Sequence, residues 1–225
     1  MVKKILILVT SLVIFSVFLN AVLQQNAKNQ IFSKAIMLME TINSVREYTI
    51  THVRPELIDK LEVKFLPEII PNFAARETFE NLRQKSNFHD FFLKDATLNP
   101  FNPRDQANKF ETELIINFKR HEEIQELSGF RSTLNGDFFY LARPIRVQEP
   151  SCLECHSEPS AAPPSLVERY GSVNGFGWKL NEIVGAQIIS LPVNQVIEEA
   201  HQLFFLIMGI VSFLFLTVIC INVKQ

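Results

Sequence analysis

Two long uncharged apolar stretches near the ends of the chain limit how it can fold. The first runs from Ile5 to Leu23 and the second from Leu203 to Val223. A helix of about 20 apolar residues crosses the hydrocarbon core of a bilayer, which is about 30 Å thick. We therefore predict two transmembrane helices, 5–23 and 203–223. A cleaved signal peptide is the alternative for the first stretch, but its apolar core is usually shorter.

Lysine residues flank the outer end of each apolar stretch. Lys3 and Lys4 precede the first stretch, and Lys224 follows the second. Positive side chains favour the cytoplasmic side, so residues 1–4 and 224–225 are predicted to be cytoplasmic. Residues 24–202 then form one extracytoplasmic domain. In a bacterium this describes a two-pass protein of the cytoplasmic (inner) membrane with a periplasmic domain, whose first partner is the lipid bilayer. The net charge of −2 gives no indication of nucleic-acid binding.

Residues 152–156 read Cys-Leu-Glu-Cys-His and carry the clearest chemical signal in the chain. This pattern is typical of c-type haem attachment, in which both thiols form thioethers and the histidine binds the iron. A disulfide, a thiol–disulfide oxidoreductase pair and a zinc knuckle are the alternatives. Zinc would need further ligands, and the remaining cysteine, Cys220, lies inside the second apolar stretch. We predict haem c at Cys152 and Cys155, with His156 as an axial ligand.

A second axial ligand is suggested by a helical pattern further upstream. Apolar residues recur in steps of four and three from Ile31 to Val45, and the same stripe continues to His52. The helix would end before Pro55, with His52 facing the interior, where an imidazole needs a partner. We predict His52 as the second ligand of the haem iron and His89 as the alternative. The alternative explanation is that His52 is a core histidine bonded to a carbonyl and binds no metal.

The sequence between the apolar stretches predicts an α+β domain. Asn135-Gly136 lies between two strand-like runs and predicts a hairpin with a type I′ turn. Residues 178–183 and 185–191 predict a second hairpin. Residues 24–54 and 56–85 are predicted to be largely helical, whereas 113–120 fit either a strand or a helix. Together these segments predict an antiparallel sheet with helices on one side.

Four stretches of the chain resemble a known family. They are VREYTITHVRP (45–55), LNPFNPRDQANKFE (98–111), LARPIRVQEPSCLECHSEP (141–159) and YGSVNGFGWKLNEIVGAQIISLPV (170–193). In this order they resemble the membrane-tethered, PAS-like sensory domains with covalent haem c of bacterial signalling proteins, a former domain-of-unknown-function family. The resemblance implies a PAS-like fold, haem held by Cys152 and Cys155, and axial ligation by His156. It also implies that the position filled by His52 supplies the other ligand. Some members use a cysteine there, and this chain has no cysteine available at that position.

Three functions are compatible with these patterns. We predict a membrane-anchored haem sensor of redox state or small gases, which signals through a partner chain such as a histidine kinase because only Lys224 and Gln225 follow the second stretch. A bis-histidine membrane cytochrome serving a redox partner is the first alternative. A haem-free extracytoplasmic binding module with a disulfide is the second. No catalytic triad or carboxylate pair indicates an enzyme, and the helical stripe would also allow a homodimer.

Overall fold

The computed structural model describes residues 2–223, without the side chains of residues 2, 4, 5 and 221–223. Met1, Lys224 and Gln225 lie outside the described residues. The predicted tail 224–225 therefore also lies outside them.

Two long helices begin and end the described chain. Helix α1 spans Val2–Tyr48, and helix α7 spans Asn194–Val223. Both are long and apolar enough to cross a membrane, with mean hydropathy of 2.6 and 2.8 in their most apolar stretches. Neither of these stretches is buried inside the protein. The two helices meet near the domain, where the Nε2 atoms of Gln24 and His201 are 2.9 Å apart.

The elements between these two helices form an α+β domain. A π-helical turn, Thr49–Val53, follows α1 directly. The remaining elements, in chain order, are α2 (Arg54–Leu57), α3 (Pro71–Arg83), β1 (Phe92–Thr97), α4 (Lys109–Arg120), β2 (Leu127–Thr133), β3 (Gly136–Arg146), α5 (Pro150–His156), α6 (Pro164–Tyr170) and β4 (Ile183–Pro192). The strands form one antiparallel sheet in the order β1-β4-β3-β2. The predicted α+β class is confirmed, and the PAS-like description stays a prediction.

Helices cover both faces of the sheet, which corrects the predicted one-sided arrangement. Successive side chains of a strand point to opposite faces, and both faces of β3 and β4 are apolar. Helix α1 covers one face, with a core formed by Ile31, Ala35, Met39, Phe139, Leu141, Ile189 and Leu191. Helix α4 covers the other face, with a core formed by Leu114, Ile115, Phe118, Ala96, Ala142, Ala186 and Ile188. The ambiguous segment 113–120 is therefore helical and lies on the second face.

The predicted helical stripe is confirmed over most of its length, but not at its end. Ile31, Ala35 and Ile42 are buried against the domain. After Tyr48 the α-helix changes into the π-helical turn, which takes more residues per turn and so changes the face that each later residue occupies. His52 is exposed as a result, and its predicted inward orientation is wrong.

One of the two predicted hairpins is present. Strands β2 and β3 pair from Leu127 with Ala142 to Thr133 with Gly136. Among the described residues, Asn135 is not one of those with a positive φ, whereas Gly136 has φ of +116°. The hairpin is thus confirmed, but its turn is not the predicted type I′, which needs positive φ at both central residues.

The second predicted hairpin does not form. Residues 178–182 are not a strand, and β4 begins after them at Ile183. Their backbone pairs with Val147 instead: the Asn181 N–H donates to Val147 O at 2.7 Å, and the Val147 N–H donates to Glu182 O at 2.9 Å. Asn181 has φ of +66°, a conformation that asparagine tolerates better than most residues.

Candidate functional site

A cavity of about 490 Å³ lies on the sheet face that α1 covers. Its wall includes the C-terminal end of α1, the turn after it, the ends of β1 and β3, the middle of β4, and helices α5 and α6. Cys152, Cys155 and His156 all line it. This volume lies within the range of roughly 300–1,000 Å³ that is usual for sites of small molecules and cofactors.

Helix α5 places the two cysteines on the cavity wall. Pro150 is its first residue, a position that tolerates the missing proline N–H. Cys152 and Cys155 are three residues apart, so they lie on the same face of the helix. Cys155 is buried, Cys152 is half-buried, and both are free thiols. Burial raises the pKa of the Cys155 thiol, and the nearby Arg54 opposes that shift.

His156 is held with one ring nitrogen bonded and the other free. Its Nδ1 is 2.7 Å from the carbonyl oxygen of Gly175. Since a carbonyl oxygen only accepts, Nδ1–H donates, and the Nε2 lone pair is then available to a metal. Burial lowers the pKa of His156 to about 4, against the opposing effect of the bond to Gly175. The imidazole is therefore neutral at pH 7, the form in which histidine binds metals.

The segment after α6 locks the end of α5 in place. The Gly177 N–H donates to Ser157 O at 2.8 Å, and the Trp178 N–H donates to His156 O at 3.1 Å. Gly175 has φ of +83°, and a Cβ there would lie 2.3 Å from the ring of Phe101. Only glycine therefore fits the position whose carbonyl orients the His156 ring.

The end of the cavity beside α5 is aromatic. The Trp178 ring stacks on His156 with 3.7 Å between centroids and 2° between planes. Phe101 lies 4.6 Å from His156 and 5.7 Å from Tyr170, again between centroids. The buried Leu166 belongs to the same apolar cluster. This end of the cavity therefore presents aromatic rings next to the imidazole of His156.

The end of the cavity beside β1 is polar. Arg46 Nη2 donates to both carboxylate oxygens of Asp95, at 2.7 and 2.6 Å. Arg76 Nη1 lies 3.6 Å from Asp105 Oδ2. Burial raises the pKa of Asp105, and Arg76 opposes that shift. Sequence reasoning missed these pairs, because Arg46 and Asp95 are 49 residues apart and no local pattern connects them.

The structure does not bring His52 to this cavity. Its ring stacks on Tyr48 with 5.1 Å between centroids, and its Nδ1 lies 2.7 Å from Thr51 Oγ1. Ile50, from the same π-helical turn, lines the cavity instead. A ligand role for His52 stays a prediction, and it would require this turn to rearrange.

The alternative ligand, His89, also lies elsewhere. It is exposed, its Nδ1 is 2.7 Å from Ser86 O, and its Nε2 is 3.0 Å from Asp90. Among the described residues, His156 is the histidine that lines the cavity, and no methionine does. Within residues 2–223 no group of three or more His, Cys, Asp or Glu side chains could hold a metal ion. The zinc-knuckle alternative therefore gains no support.

We expect the buried state of His156 to be visible through Trp178, the single tryptophan of the chain. A protonated imidazole quenches a stacked indole more strongly than a neutral one. The fluorescence of the haem-free chain should therefore fall with a midpoint near pH 4, not near 6.5.

Because the unfolded chain takes up this proton at the higher pH, the free energy of unfolding should also decrease as the pH falls from about 6.5 towards 4.

The matched control for this titration is His156→Gln, which should lack the fluorescence transition. Circular dichroism at each pH shows that the chain stays folded. A transition near pH 6.5 that requires His156 would contradict the described burial.

Comparison with known proteins gives one structural relative and one family. The crystal structure of the cyanobacterial haem protein Tll0287 matches with a TM-score of 0.53 and 16% sequence identity, over 72% of this chain and 95% of that chain. At this identity the match indicates a shared fold. No curated protein matches the chain. The model of the Tll0287-like family matches residues 24–192, so the chain belongs to the Tll0287-like family.

Proposed function

We propose that the chain is a membrane-anchored haem c protein that senses redox state or a small gas. Cys152 and Cys155 would hold the haem and His156 would bind its iron, which supplies the redox and gas-binding chemistry. The proposal depends most on one observation: Cys152, Cys155 and His156, whose ring is oriented by the Gly175 carbonyl, all line the same cavity. The structural relative is itself described as a haem protein, which supports this choice of cofactor.

The side chains of the cavity fit such a group. Each thiol would add across one vinyl group, forming a carbon–sulfur bond while the thiol proton goes to the vinyl carbon, with no net oxidation. The aromatic end beside Phe101 and Trp178 suits a flat apolar ring, and the Gly175 carbonyl keeps the imidazole in the metal-binding tautomer. The polar end suits the acidic groups of haem.

The part of the cavity wall formed by α1 and the turns after it favours a sensor over a bis-histidine electron carrier. Arg46, Ile50 and Arg54 line the cavity from α1 and the turns that follow it. None of these three side chains is a usual haem ligand. A haem held by His156 alone would leave a position on the iron at which a small gas could bind.

The connection between α1 and α5 supplies a route for a signal. Arg54 Nη2 donates to Glu154 Oε2 at 2.5 Å and to Ser151 O at 3.4 Å, so the end of the α1 region is tied to the helix that carries the cysteines. Helix α1 continues without a break into its apolar half. A change at the haem would therefore move α1 relative to α7, as in known helix-shift switches. A partner chain, such as a histidine kinase, would receive this shift.

The membrane arrangement is part of the same proposal. The apolar parts of α1 and α7 expose many large hydrophobic side chains, and both leave the domain next to the Gln24–His201 contact. Two spans and a periplasmic domain fit this geometry and the flanking lysines. The stripe of α1 packs on the sheet of its own chain, so a homodimer would have to use a different surface.

We expect covalent haem to depend on the two cavity thiols and not on the third cysteine. The full chain, co-expressed with a haem c maturation system, should show haem on a denaturing gel. Cys152→Ala and Cys155→Ala together should abolish that signal, whereas Cys220→Ala, in α7, should leave it unchanged. Haem staining that survives the double substitution would contradict the attachment site.

We expect the iron to have His156 as its protein ligand and an open sixth position. The reduced wild-type chain should bind carbon monoxide readily, and His52→Ala should leave the visible spectrum unchanged. His156→Ala should lose the spectrum of the histidine-ligated form. A six-coordinate low-spin wild type that becomes high-spin in His52→Ala would instead support the bis-histidine carrier and a rearranged π-helical turn.

A further inference from the structure

The end of the cavity that lies against β1 and β4 contains a cluster of unpaired polar atoms. Among the described residues, the buried side-chain atoms without a hydrogen-bond partner are Arg46 Nε, Arg76 Nε, Thr97 Oγ1 and Gln187 Nε2. All four residues line this cavity. Buried polar groups are nearly always hydrogen-bonded, so unpaired ones collected at one place indicate a ligand that supplies the partner.

Strand geometry brings three of these residues together. Thr97 lies two positions after Asp95 on β1, so both side chains are on the same face of the sheet. Gln187 of β4 is directly opposite Asp95. Arg46 donates to both oxygens of that aspartate. Thr97 and Gln187 are 7% and 5% exposed, so both side chains are more than nine-tenths buried.

Arg76 reaches the same end of the cavity through Asp105. The two side chains are 3.6 Å apart, and the next residue, Gln106, bridges to Thr97. Arg76 Nε also lies 3.5 Å from the carboxylate of Glu77, without forming a hydrogen bond. Arg76 therefore lies at the same end of the cavity as the other three residues, with an Nε that is ion-paired to Glu77 and makes no hydrogen bond.

The chemistry of these atoms matches a carboxylate. Three of them are N–H donors, and the hydroxyl of Thr97 can donate as well. An ionised carboxylate only accepts, at about four lone-pair sites on its two oxygens. Arg46 and Arg76 are already paired with Asp95 and Asp105, so the charges at this end are balanced. Selectivity would therefore come from directed hydrogen bonds and not from net charge.

We infer that this end of the cavity is a carboxylate-binding subsite formed by Arg46, Arg76, Thr97 and Gln187. If haem is attached as proposed above, the carboxylate that occupies this subsite is a haem propionate. The vinyl groups that react with the thiols and the propionates occupy opposite halves of the haem ring. Arg46 comes eight residues before Arg54, which contacts α5, so the subsite and the cysteine helix are contacted from different turns of this helical segment.

The assignment to a propionate rests on the proposed haem attachment, whereas the subsite does not. A free organic acid has the same recognition chemistry. The test must therefore separate these two sources of the carboxylate, and it must give a result with and without haem.

Two nearly isosteric substitutions test the subsite in the full chain in detergent. Gln187→Leu and Thr97→Val each remove an unpaired buried polar atom. In the haem-free chain each should raise the melting temperature by about 2–4 °C, because no hydrogen bond is lost. In the haem-loaded chain each should lower it by a similar amount, because a bond to the propionate is lost. The control is Gln84→Leu, at an exposed residue outside the cavity wall, which should act equally in both forms.

Sodium propionate, compared with sodium chloride at equal ionic strength, separates the two sources. If the haem propionate is the occupant, the substitutions act with opposite sign in the two forms, as described. If a free acid is the occupant, sodium propionate should raise the melting temperature of the haem-free wild type but not that of haem-free Gln187→Leu. In the haem-loaded chain, the substitution should then leave the melting temperature unchanged. Either result supports the subsite.

Substitutions that lower the melting temperature equally in both forms, or change neither, together with no effect of sodium propionate, would overturn the subsite. Haem content is measured on the same preparations by haem-stained gel. A chain without covalent haem would reject the propionate assignment alone, since the haem-free comparison still decides whether the subsite binds a carboxylate.

Discussion

The packing of α1 on one face of the sheet is the contact on which the rest of the structure depends. Ile31, Ala35 and Met39 are buried against β3 and β4, and each large apolar side chain buried in this way contributes about 1.5–3 kcal/mol. The same helix supplies the apolar half that can enter a bilayer and the residues Arg46 and Ile50 that border the cavity. The apolar half, part of the core and part of the cavity wall therefore belong to one continuous helical segment.

The cavity has two chemically different ends, and both bear on what it holds. Aromatic rings surround the free nitrogen of His156, while unpaired donors of Arg46 and Gln187 face the other end. A haem is apolar over most of its ring and acidic at one edge, so it matches both ends together. A disulfide between Cys152 and Cys155 would explain neither the oriented histidine nor the unpaired donors.

Patterns within short stretches of the sequence predicted individual helices and strands. The remaining structure depends on contacts between residues far apart in the sequence. The hairpin around Gly136 and the long helix from residue 24 follow from periodicity and turn chemistry. Strand β1 was not predicted, because Lys94 and Asp95 interrupt its apolar pattern, and their partners Glu111 and Arg46 are 17 and 49 residues away. Lys94 and Asp95 point to opposite faces of the sheet, and each is paired with a residue on its own face. No short stretch of sequence contains both members of either pair.

The predicted inward orientation of His52, the second predicted ligand, is wrong for a different reason. A stripe with steps of three and four assumes an unbroken α-helix, and the π-helical turn after Tyr48 changes the face of every later residue. Ile50 therefore takes the position beside the cavity that the stripe assigned to His52. The Cys-Leu-Glu-Cys-His motif did not depend on such periodicity, and its two thiols and imidazole do line one cavity.

Peptide mass mapping of the full chain, purified after co-expression with a haem c maturation system, would show whether haem is attached at Cys152 and Cys155. We expect the peptide containing residues 152–156 to carry the mass of one haem and to have no free thiol. An unmodified peptide, or one with a disulfide between Cys152 and Cys155, would contradict haem attachment and favour a haem-free binding module.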